Sequence, residues 1–217
     1  LIDMKIVITG GGTGGHFYPL MAVAESIQKQ AREQKLVEPR IYYIGPDEYN
    51  PKELFDRRID FIRVPAGKRR LHAKGLGVVK NIVDVFRMGI GCFIGFIRMF
   101  ILFPDVVFAK GGYTTFPTLL AARILGIPVV IHESDSVPGR VNLWASKFAK
   151  RIAISFQESS EYFDKSKVAY TGNPVRNELH NPLKIGSYEY LELDPNLPII
   201  GVLGGSTGAR RINDVMM

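Results

Sequence analysis

The first 180 residues alternate between short apolar runs and stretches with helical spacing. Runs rich in β-branched residues predict buried strands at 5–9, 40–44, 105–109, 128–132, 151–155 and 168–170. Apolar positions three and four residues apart predict helices at 19–27, 118–125 and 140–149. Strands that are apolar throughout and separated by helices pair in parallel, so the pattern predicts an α/β fold with a Rossmann-like, doubly wound sheet. Ligands of such sheets lie beyond the carboxyl ends of the strands.

The region after residue 180 has a different pattern. Residues 181–198 contain three prolines and no regular periodicity, which is typical of a linker. The apolar run at 199–203 and the glycine-rich stretch after it then repeat the order found at 5–15. We therefore expect a first domain at 1–180 and the start of a truncated second Rossmann-like domain at 199–217. Residues 199–217 are too few to bury a core alone, which indicates a fragment or a chain that needs a partner.

Composition and charge narrow the function classes. The 217 residues are 46% hydrophobic and 23% charged, as in globular proteins, which excludes a disordered tail and a coiled coil. The single cysteine, Cys92, cannot form an internal disulfide and favours a reducing compartment. The net charge is +7, and six basic residues lie between 61 and 83, where no acid occurs. Such a segment favours a polyanion, either nucleic acid or an anionic membrane, although a solvated loop explains it equally well.

An apolar run at 82–103 follows the basic segment and contains five phenylalanines. Three charged residues interrupt it, so it is not a clean transmembrane span. As a helix it would place its polar and small residues on one narrow stripe, and its apolar surface would exceed what one sheet face covers. Aromatic and basic groups together favour a membrane surface over nucleic acid, the alternative being a wholly buried pair of helices. The candidate membrane-binding residues are Lys68, Arg69, Arg70, Lys74, Phe86, Phe93 and Phe96.

A glycine loop at 10–15 follows the first predicted strand and is followed by His16. Glycines allow the backbone to turn sharply and approach a ligand, and the helix start behind them suits a phosphate. The loop also matches G-x-G-x-x-G, so a dinucleotide site with Asp47 or Glu48 for a ribose remains open, as does a purely structural turn. His16 is the candidate base, because its ordinary pKa of ~6.5 suits proton transfer at neutral pH and a helix N-terminus would lower it.

Three further motifs follow predicted strands and face the same crevice. They are a glycine turn at 110–115, a polar stretch at 132–135, and an Asn-Pro turn at 172–176. Within them, His132 and Glu133 are equally well explained as buried, hydrogen-bonded loop anchors or as catalytic groups. Arg176 suits a phosphate or a sugar, and a surface salt bridge is its alternative. No spacing typical of metal ligands occurs, so we expect no metal.

These motifs, in this order, resemble the MurG family of bacterial glycosyltransferases. The matching segments are 10–16, 111–113, 126–133, 172–176 and 204–209. The resemblance implies a GT-B fold, in which two Rossmann-like domains face each other across a cleft. It also implies transfer of N-acetylglucosamine from UDP-N-acetylglucosamine to lipid I, giving lipid II for peptidoglycan. The protein would act as a peripheral protein on the cytoplasmic face of the bacterial plasma membrane.

The resemblance assigns roles to individual residues. His16 would be the general base that deprotonates the C4 hydroxyl of the muramyl sugar, with inversion at the anomeric carbon and without a cofactor. The implied substrate-binding residues are Thr13, Gly14, Gly15, Tyr113, Glu133, Asp135, Arg176, Gly205 and Ser206. Residues 132–135 read His-Glu-Ser-Asp where the family usually has His-Glu-Gln-Asn, and Thr207 stands where the family usually has glutamine. Unlike asparagine, an ionised Asp135 accepts hydrogen bonds but donates none.

Alternatives of other classes remain open at this point. One is another GT-B transferase with a lipid acceptor, such as a diacylglycerol glycosyltransferase. A second is a non-catalytic, membrane-anchoring half that recruits a separate catalytic chain, and a dehydrogenase is a more distant one. If the chain is a glycosyltransferase, we expect residues 1–217 alone to be weakly active or inactive, because most of the donor domain would lie after Met217.

Overall fold

The computed structural model describes residues 4–68, 76–180, 186–202, 204 and 210–216. The strands are β1 (Lys5–Thr9), β2 (Arg40–Gly45), β3 (Ile59–Arg63), β4 (Val106–Ala109), β5 (Val129–Glu133), β6 (Arg151–Ile154) and β7 (Val168–Tyr170). The helices are α1 (Gly14–Glu33), α2 (Pro51–Asp56), α3 (Leu76–Leu102), α4 (Phe116–Leu125), α5 (Arg140–Ala145), α6 (Ser187–Tyr190) and α7 (Arg210–Met216). Short 3-10 helices cover Tyr113–Thr115, Gln157–Tyr162 and Asn177–Leu179. The candidate residues Arg69, Arg70, Lys74, Gly205 and Ser206 lie outside the described residues.

The strands form one seven-stranded parallel sheet in the order β3-β2-β1-β4-β5-β6-β7. This arrangement confirms the predicted α/β class with a doubly wound sheet. The strand order reverses between β1 and β4, and ligands of such sheets bind in the crevice at that point. The register pairs Thr9 with Ala109, so the turns that follow β1 and β4 start side by side.

The predicted strands of the first domain are confirmed to within one residue at their ends. Helix α1 begins at Gly14, well before the predicted start at 19, and α5 ends at Ala145 instead of 149. Strand β3 was not predicted, because it is an edge strand that pairs only with β2 and its five residues include two charged ones, so it lacks a continuous apolar run. The short helix α2 was not predicted either. It begins at Pro51, and the side chain of the preceding Asn50 accepts a hydrogen bond from the Glu53 N–H.

The strand predicted at 199–203 is not formed over its described part. Residues 199–202 are exposed, have no regular structure and pair with none of the described strands. A strand needs a neighbouring strand for its backbone hydrogen bonds, which explains the difference. The division into a domain at 1–180, a linker at 181–198 and a second domain therefore stays a prediction.

Helices cover both faces of the sheet. Successive residues of β1 point to opposite faces, so that Ile8 packs with Phe17 of α1 while Val7 packs on the side of α3 and α4. Met99 of α3 and Leu119 of α4 are fully buried in the hydrophobic cluster on the side of α3 and α4. Because both faces are covered, the central strands are apolar at nearly every position.

Helix α3 approaches its neighbours through small residues. A Cβ atom at Gly91 would lie 1.9 Å from the carbonyl oxygen of Pro65, and one at Gly95 would lie 3.4 Å from Pro117 of α4. The predicted polar stripe is therefore divided, because its glycines face the protein while Arg87 is exposed.

The opposite side of α3, which we call the apolar face, is exposed. Its exposed large hydrophobic residues are Val79, Ile82, Val83, Val85, Phe86, Ile90, Phe93, Ile97, Phe100 and Ile101. Phe86 is 70% and Phe93 is 68% exposed, which excludes a wholly buried helix pair. Phe96 departs from the expectation, because it is half-buried against the core and stacks on Phe100. By length and composition alone, Val79–Leu102 is apolar enough to cross a membrane.

The close approach at Gly91 generates a stability prediction. Gly91→Ala should lower the free energy of unfolding by about 1–3 kcal/mol, because its methyl group would overlap the Pro65 carbonyl and force α3 outward. The matched control is Gly89→Ala, which meets no atom within 4 Å and should raise the free energy of unfolding by up to ~1 kcal/mol. Urea unfolding of both variants measures the effects, and equal stability of the two would contradict the packing described.

Candidate active site

The turns after β1 and β4 meet where the strand order reverses. Gly111 has a φ of +89°, and a Cβ atom there would lie 2.7 Å from Asn142 Nδ2, so the position requires glycine. At Gly112 a Cβ atom would lie 3.7 Å from His16 Nε2. The backbone of the second turn therefore lies directly beside the imidazole of the first.

His16 lies in the first turn of α1 and is half-buried. Its Nδ1 is 3.0 Å from Thr13 Oγ1, so a tautomer with the proton on Nδ1 donates to Thr13 and leaves the Nε2 lone pair on the side of Gly112. Burial, followed by the positive charge of Lys110, lowers the pKa of His16 below its ordinary value. The sequence analysis expected a lowered pKa from the helix N-terminus, whereas burial is the largest cause. The imidazole is therefore neutral at pH 7, as a general base requires.

We call the edge of the crevice that the turns after β1 and β4 form the rim. Tyr113 and the glycines before α1 belong to it. The Tyr113 ring lies 3.6 Å from the position that a Cβ atom would take at Gly12, so it closes the rim between the two turns. Gly15 is exposed, whereas Gly14 is buried.

Tyr49 covers the first turn on its β2 side. Its hydroxyl lies 2.9 Å from the position of a Cβ atom at Gly14, and its ring packs on Phe17 with centroids 4.9 Å apart. The two acids considered for a ribose, Asp47 and Glu48, are exposed. Because the Tyr49 hydroxyl lies against Gly14 where a dinucleotide's phosphates would approach the glycine turn, the geometry does not favour a dinucleotide site.

Lys110 and His132 form a buried pair behind the rim. Their exposures are 2% and 1%, and Lys110 Nζ lies 2.8 Å from His132 Nδ1. An ammonium group only donates, so Nδ1 accepts and Nε2 carries the proton that donates to the Gly172 carbonyl oxygen at 3.0 Å. Burial lowers the pKa of Lys110 to about 8. Burial, with the charge of Lys110 as second cause, lowers the pKa of His132 to about 4.

The Glu133 carboxylate is 3% exposed and is surrounded by donors of its own loop. It accepts hydrogen bonds from the Asp135 N–H at 2.9 Å, the Gly139 N–H at 3.0 Å and Asn142 Nδ2 at 2.9 Å. These contacts fit the loop-anchor interpretation of Glu133. Asp135 itself is exposed at the rim, where its side chain is accessible to a ligand.

Arg176 lies against α1 and α2. Its guanidinium is 4.4 Å from the ring centre of Tyr18, and it pairs with Glu53 at 3.6 Å and with Glu178 at 3.8 Å. The salt-bridge interpretation of Arg176 is thus observed in this structure. Because Tyr18 is two residues after His16 on α1, the arginine still lies within the first turns of that helix.

A groove of about 590 Å³ runs from the rim towards α3. Gly112 and Tyr113 line it together with Met88 of α3, Phe116 and Arg140. The groove is mostly apolar, with one cationic side chain at the start of α5. It therefore suits an elongated apolar group attached to an anionic one.

Two residues with important positions were not assigned roles by the sequence analysis. Lys110 is the only charged residue directly between a buried strand and a glycine turn at this rim, which was the available signal. Asn142 carried no such signal, because its hydrogen-bond partners, His132 and Glu133, end strand β5 while Asn142 itself lies in α5. Within the described residues, no group of three His, Cys, Asp or Glu side chains is arranged to hold a metal ion.

The parallel sheet and the glycine turns at its switch point define a Rossmann-like ligand-binding domain. Residues 6–154 match the glycosyltransferase family 28 N-terminal domain. This chain belongs to glycosyltransferase family 28.

Individual relatives agree with this assignment. The UDP-N-acetylglucosamine–N-acetylmuramyl-(pentapeptide) pyrophosphoryl-undecaprenol N-acetylglucosamine transferase of Treponema denticola is 39% identical over an alignment of 223 positions, which covers 97% of this chain and 54% of the relative. An enzyme of the same name with the numeral 2, from Bacillus cereus, is 34% identical over 98% of this chain and 57% of its own length. The crystal structure of Acinetobacter baumannii MurG superposes with a TM-score of 0.58 at 28% identity, over 83% of this chain and 48% of that one. The chain thus spans about half the length of the relatives it matches.

The buried His132 generates a prediction for stability against pH. Its pKa is about 4 in the folded state and ~6.5 when unfolded, so the unfolded state binds the proton first as the pH falls. Wild type should therefore lose up to roughly 3 kcal/mol of unfolding free energy relative to His132→Gln between pH 7 and pH 4. Urea unfolding at half-unit pH steps measures this difference. A pH-independent difference between the two proteins would contradict the burial of a neutral imidazole.

Proposed function

We propose that the whole protein transfers N-acetylglucosamine from UDP-N-acetylglucosamine to the C4 hydroxyl of the muramyl sugar of lipid I, giving lipid II. The names of the relatives support this substrate pair, and the match to family 28 supports the reaction class. The observation that carries the proposal is the position of His16 between two glycine turns, beside Gly112, which also lines an apolar groove that includes Met88 of α3.

His16 is the proposed general base. A sugar hydroxyl is a poor nucleophile at neutral pH, and a base that removes its proton as the new bond forms typically contributes 10²–10⁴-fold. The lowered pKa keeps the imidazole unprotonated, and the Nδ1 contact with Thr13 orients Nε2. The C4 oxygen would attack the anomeric carbon on the face opposite UDP, so that the new glycosidic bond forms as the bond to UDP breaks, UDP departs as the leaving group, and the anomeric carbon is inverted.

The groove next to His16 is the proposed seat of the lipid acceptor. Its apolar lining suits the first prenyl units, and Arg140 supplies a positive charge for the diphosphate that joins them to the sugar. With the muramyl sugar at the rim, Tyr113 would lie against it, and the carrier would leave the groove towards α3.

The donor would bind on the other side of the rim. Gly14 and Gly15 at the start of α1 offer backbone N–H groups to a diphosphate, and Asp135 would accept hydrogen bonds from sugar hydroxyls. Arg176 would contact the donor diphosphate after releasing Glu178, whose side chain is 63% exposed. Gly205 and Ser206 are the proposed contacts from a second Rossmann-like domain beginning at 199. Neither a metal nor a cofactor is part of this scheme.

The apolar face of α3 is the proposed membrane-binding surface. It exposes Phe86 and Phe93, the basic side chains of Lys80 and Arg87 lie on the same helix, and Lys68 precedes the helix by eight residues in the sequence. Each buried large apolar side chain contributes ~1.5–3 kcal/mol, and each basic group near an anionic leaflet ~1 kcal/mol. The protein would thereby attach peripherally to the inner leaflet, where lipid I is made available.

The role of His16 can be tested in the whole protein. His16→Ala should lower kcat by about 100-fold or more while leaving donor binding unchanged, because the base acts only in the transition state. His180→Ala is the matched control, since His180 is exposed and outside the rim. Transfer of labelled N-acetylglucosamine to a lipid I analogue measures both.

The same assay separates the proposed acceptor from others. Transfer to the lipid I analogue but not to diacylglycerol is the expected result. Transfer to diacylglycerol instead would refute the acceptor, and near-normal turnover of His16→Ala would remove His16 from its role.

Membrane attachment can be tested on residues 1–217 directly. Replacing Phe86 and Phe93 by serine should weaken binding to phosphatidylglycerol vesicles by roughly tenfold per side chain, because each loses apolar burial. The matched control is Phe55→Ser, which removes an 84% exposed phenylalanine from α2. Vesicle sedimentation measures the partition, and phosphatidylcholine vesicles show how much of it depends on anionic lipid. Equal binding by the three proteins would exclude the apolar face of α3 as the attachment surface.

A further inference from the structure

Lys110 is a buried cation for which the proposed reaction has no direct use. Its side chain is 2% exposed, and lysine is almost never buried to this extent unless it is paired. Its hydrogen-bond partner in this structure is a neutral ring nitrogen, His132 Nδ1, at 2.8 Å. The carboxylates of Glu133 and Asp135 act on it through space. Burying an ammonium group is costly, so a role for its charge or its hydrogen bond is expected.

The hydrogen bond of Lys110 reaches across the rim. Because Lys110 donates to Nδ1, the proton of His132 resides on Nε2 and is donated to the Gly172 carbonyl oxygen. Ser155 Oγ lies 3.4 Å from the same Nε2 and donates to Asn173 Oδ1 at 2.8 Å. By keeping the proton of His132 on Nε2, Lys110 thereby supports the hydrogen bond that holds the turn at 172–173.

The charge of Lys110 also acts on His16. Besides burial, the groups that act on this imidazole are Lys110, Asp135 and Glu133, the first favouring the neutral form and the two acids favouring the protonated form. At His16, the charge of Lys110 therefore opposes the charge of Asp135, which favours the protonated imidazole.

We propose that Lys110 is a positioning residue of this site, whose ammonium group fixes the tautomer of His132 and offsets the charge of Asp135 beside His16. This proposal rests on the proposed function in one respect: a neutral His16 matters because His16 is the proposed general base. Its two physical claims, a tautomer and an electrostatic effect, are properties of residues 1–217 and do not require turnover.

The first test uses the wild-type protein. Long-range ¹H–¹⁵N correlation spectra of the ¹⁵N-histidine-labelled chain distinguish the two tautomers of each imidazole, with single histidine replacements assigning the signals. The expected result is that His132 carries its proton on Nε2 and that its Nδ1 accepts a hydrogen bond. A proton on Nδ1 of His132 would overturn the proposal without any variant of Lys110.

The second test follows the titration of His16 in variants. Lys110→Met should raise the pKa of His16, and Asp135→Asn should lower it, because they remove charges of opposite sign. Lys110→Gln keeps a donor towards His132, so it should shift His16 in the same direction as Lys110→Met while preserving the His132 tautomer. Lys29→Met is the matched control, since it removes an exposed lysine of α1 and should leave both signals unchanged.

The outcomes separate this proposal from the proposed function. If Lys110→Met leaves the His16 titration and the His132 tautomer as in wild type, Lys110 has no positioning role, whatever the enzyme's activity. If both change as expected but the whole protein fails to use lipid I, the proposed acceptor is wrong while the role of Lys110 stands. Should Lys110→Met not fold, the wild-type tautomer and the Asp135→Asn titration still decide.

Discussion

The parallel pairing of β1 with β4 is the constraint on which the whole site depends. It brings Thr9 and Ala109 into register, so two segments of the chain must leave the sheet at the same place and turn within the same small volume. Side chains there would collide, and the space at Gly111 is already filled by Asn142. Glycine turns solve this problem, and the imidazole of His16 comes to lie against bare backbone at Gly112. The site is therefore a product of strand order and of missing Cβ atoms, before any catalytic side chain is considered.

The sequence predicted the sheet well because burial on both faces makes each central strand a continuous apolar run. It predicted the crevice for the same reason, since the residues after such strands must share one edge. It failed at β3, where an edge position relaxes the apolar requirement, and at the start of α1, where the helix begins within the glycine loop itself. The start at Gly14 depends on tertiary packing beneath Tyr49, which no local pattern records.

Contacts between distant segments account for what the sequence could not give for the site. The motif with Lys110 was visible, but its bond to His132 joins the ends of two different strands. Arg176 was visible as a cation after a rigid turn, while its ion pair with Glu53 depends on an unforeseen helix, α2. The polar and small residues of α3 lie along one stripe, as predicted, but they do not form one exposed surface. Its glycines serve close packing and its arginines, Arg87 and Arg98, are exposed, whereas the side chain of Asp84 is only 12% exposed.

The near-contact between Gly91 and the Pro65 carbonyl has a mechanical consequence. Because a Cβ atom at Gly91 would lie 1.9 Å from that oxygen, the backbone of α3 packs directly against the 64–67 loop. The same loop contributes Gly67 to the wall of the groove, and Met88 of α3 lines it too, so the orientation of the groove is tied to that of the helix. In a protein attached to a membrane through this helix, the bilayer would fix the direction in which the groove opens. An acceptor confined to a leaflet would then search a plane instead of a volume, and would reach an entrance already turned towards it.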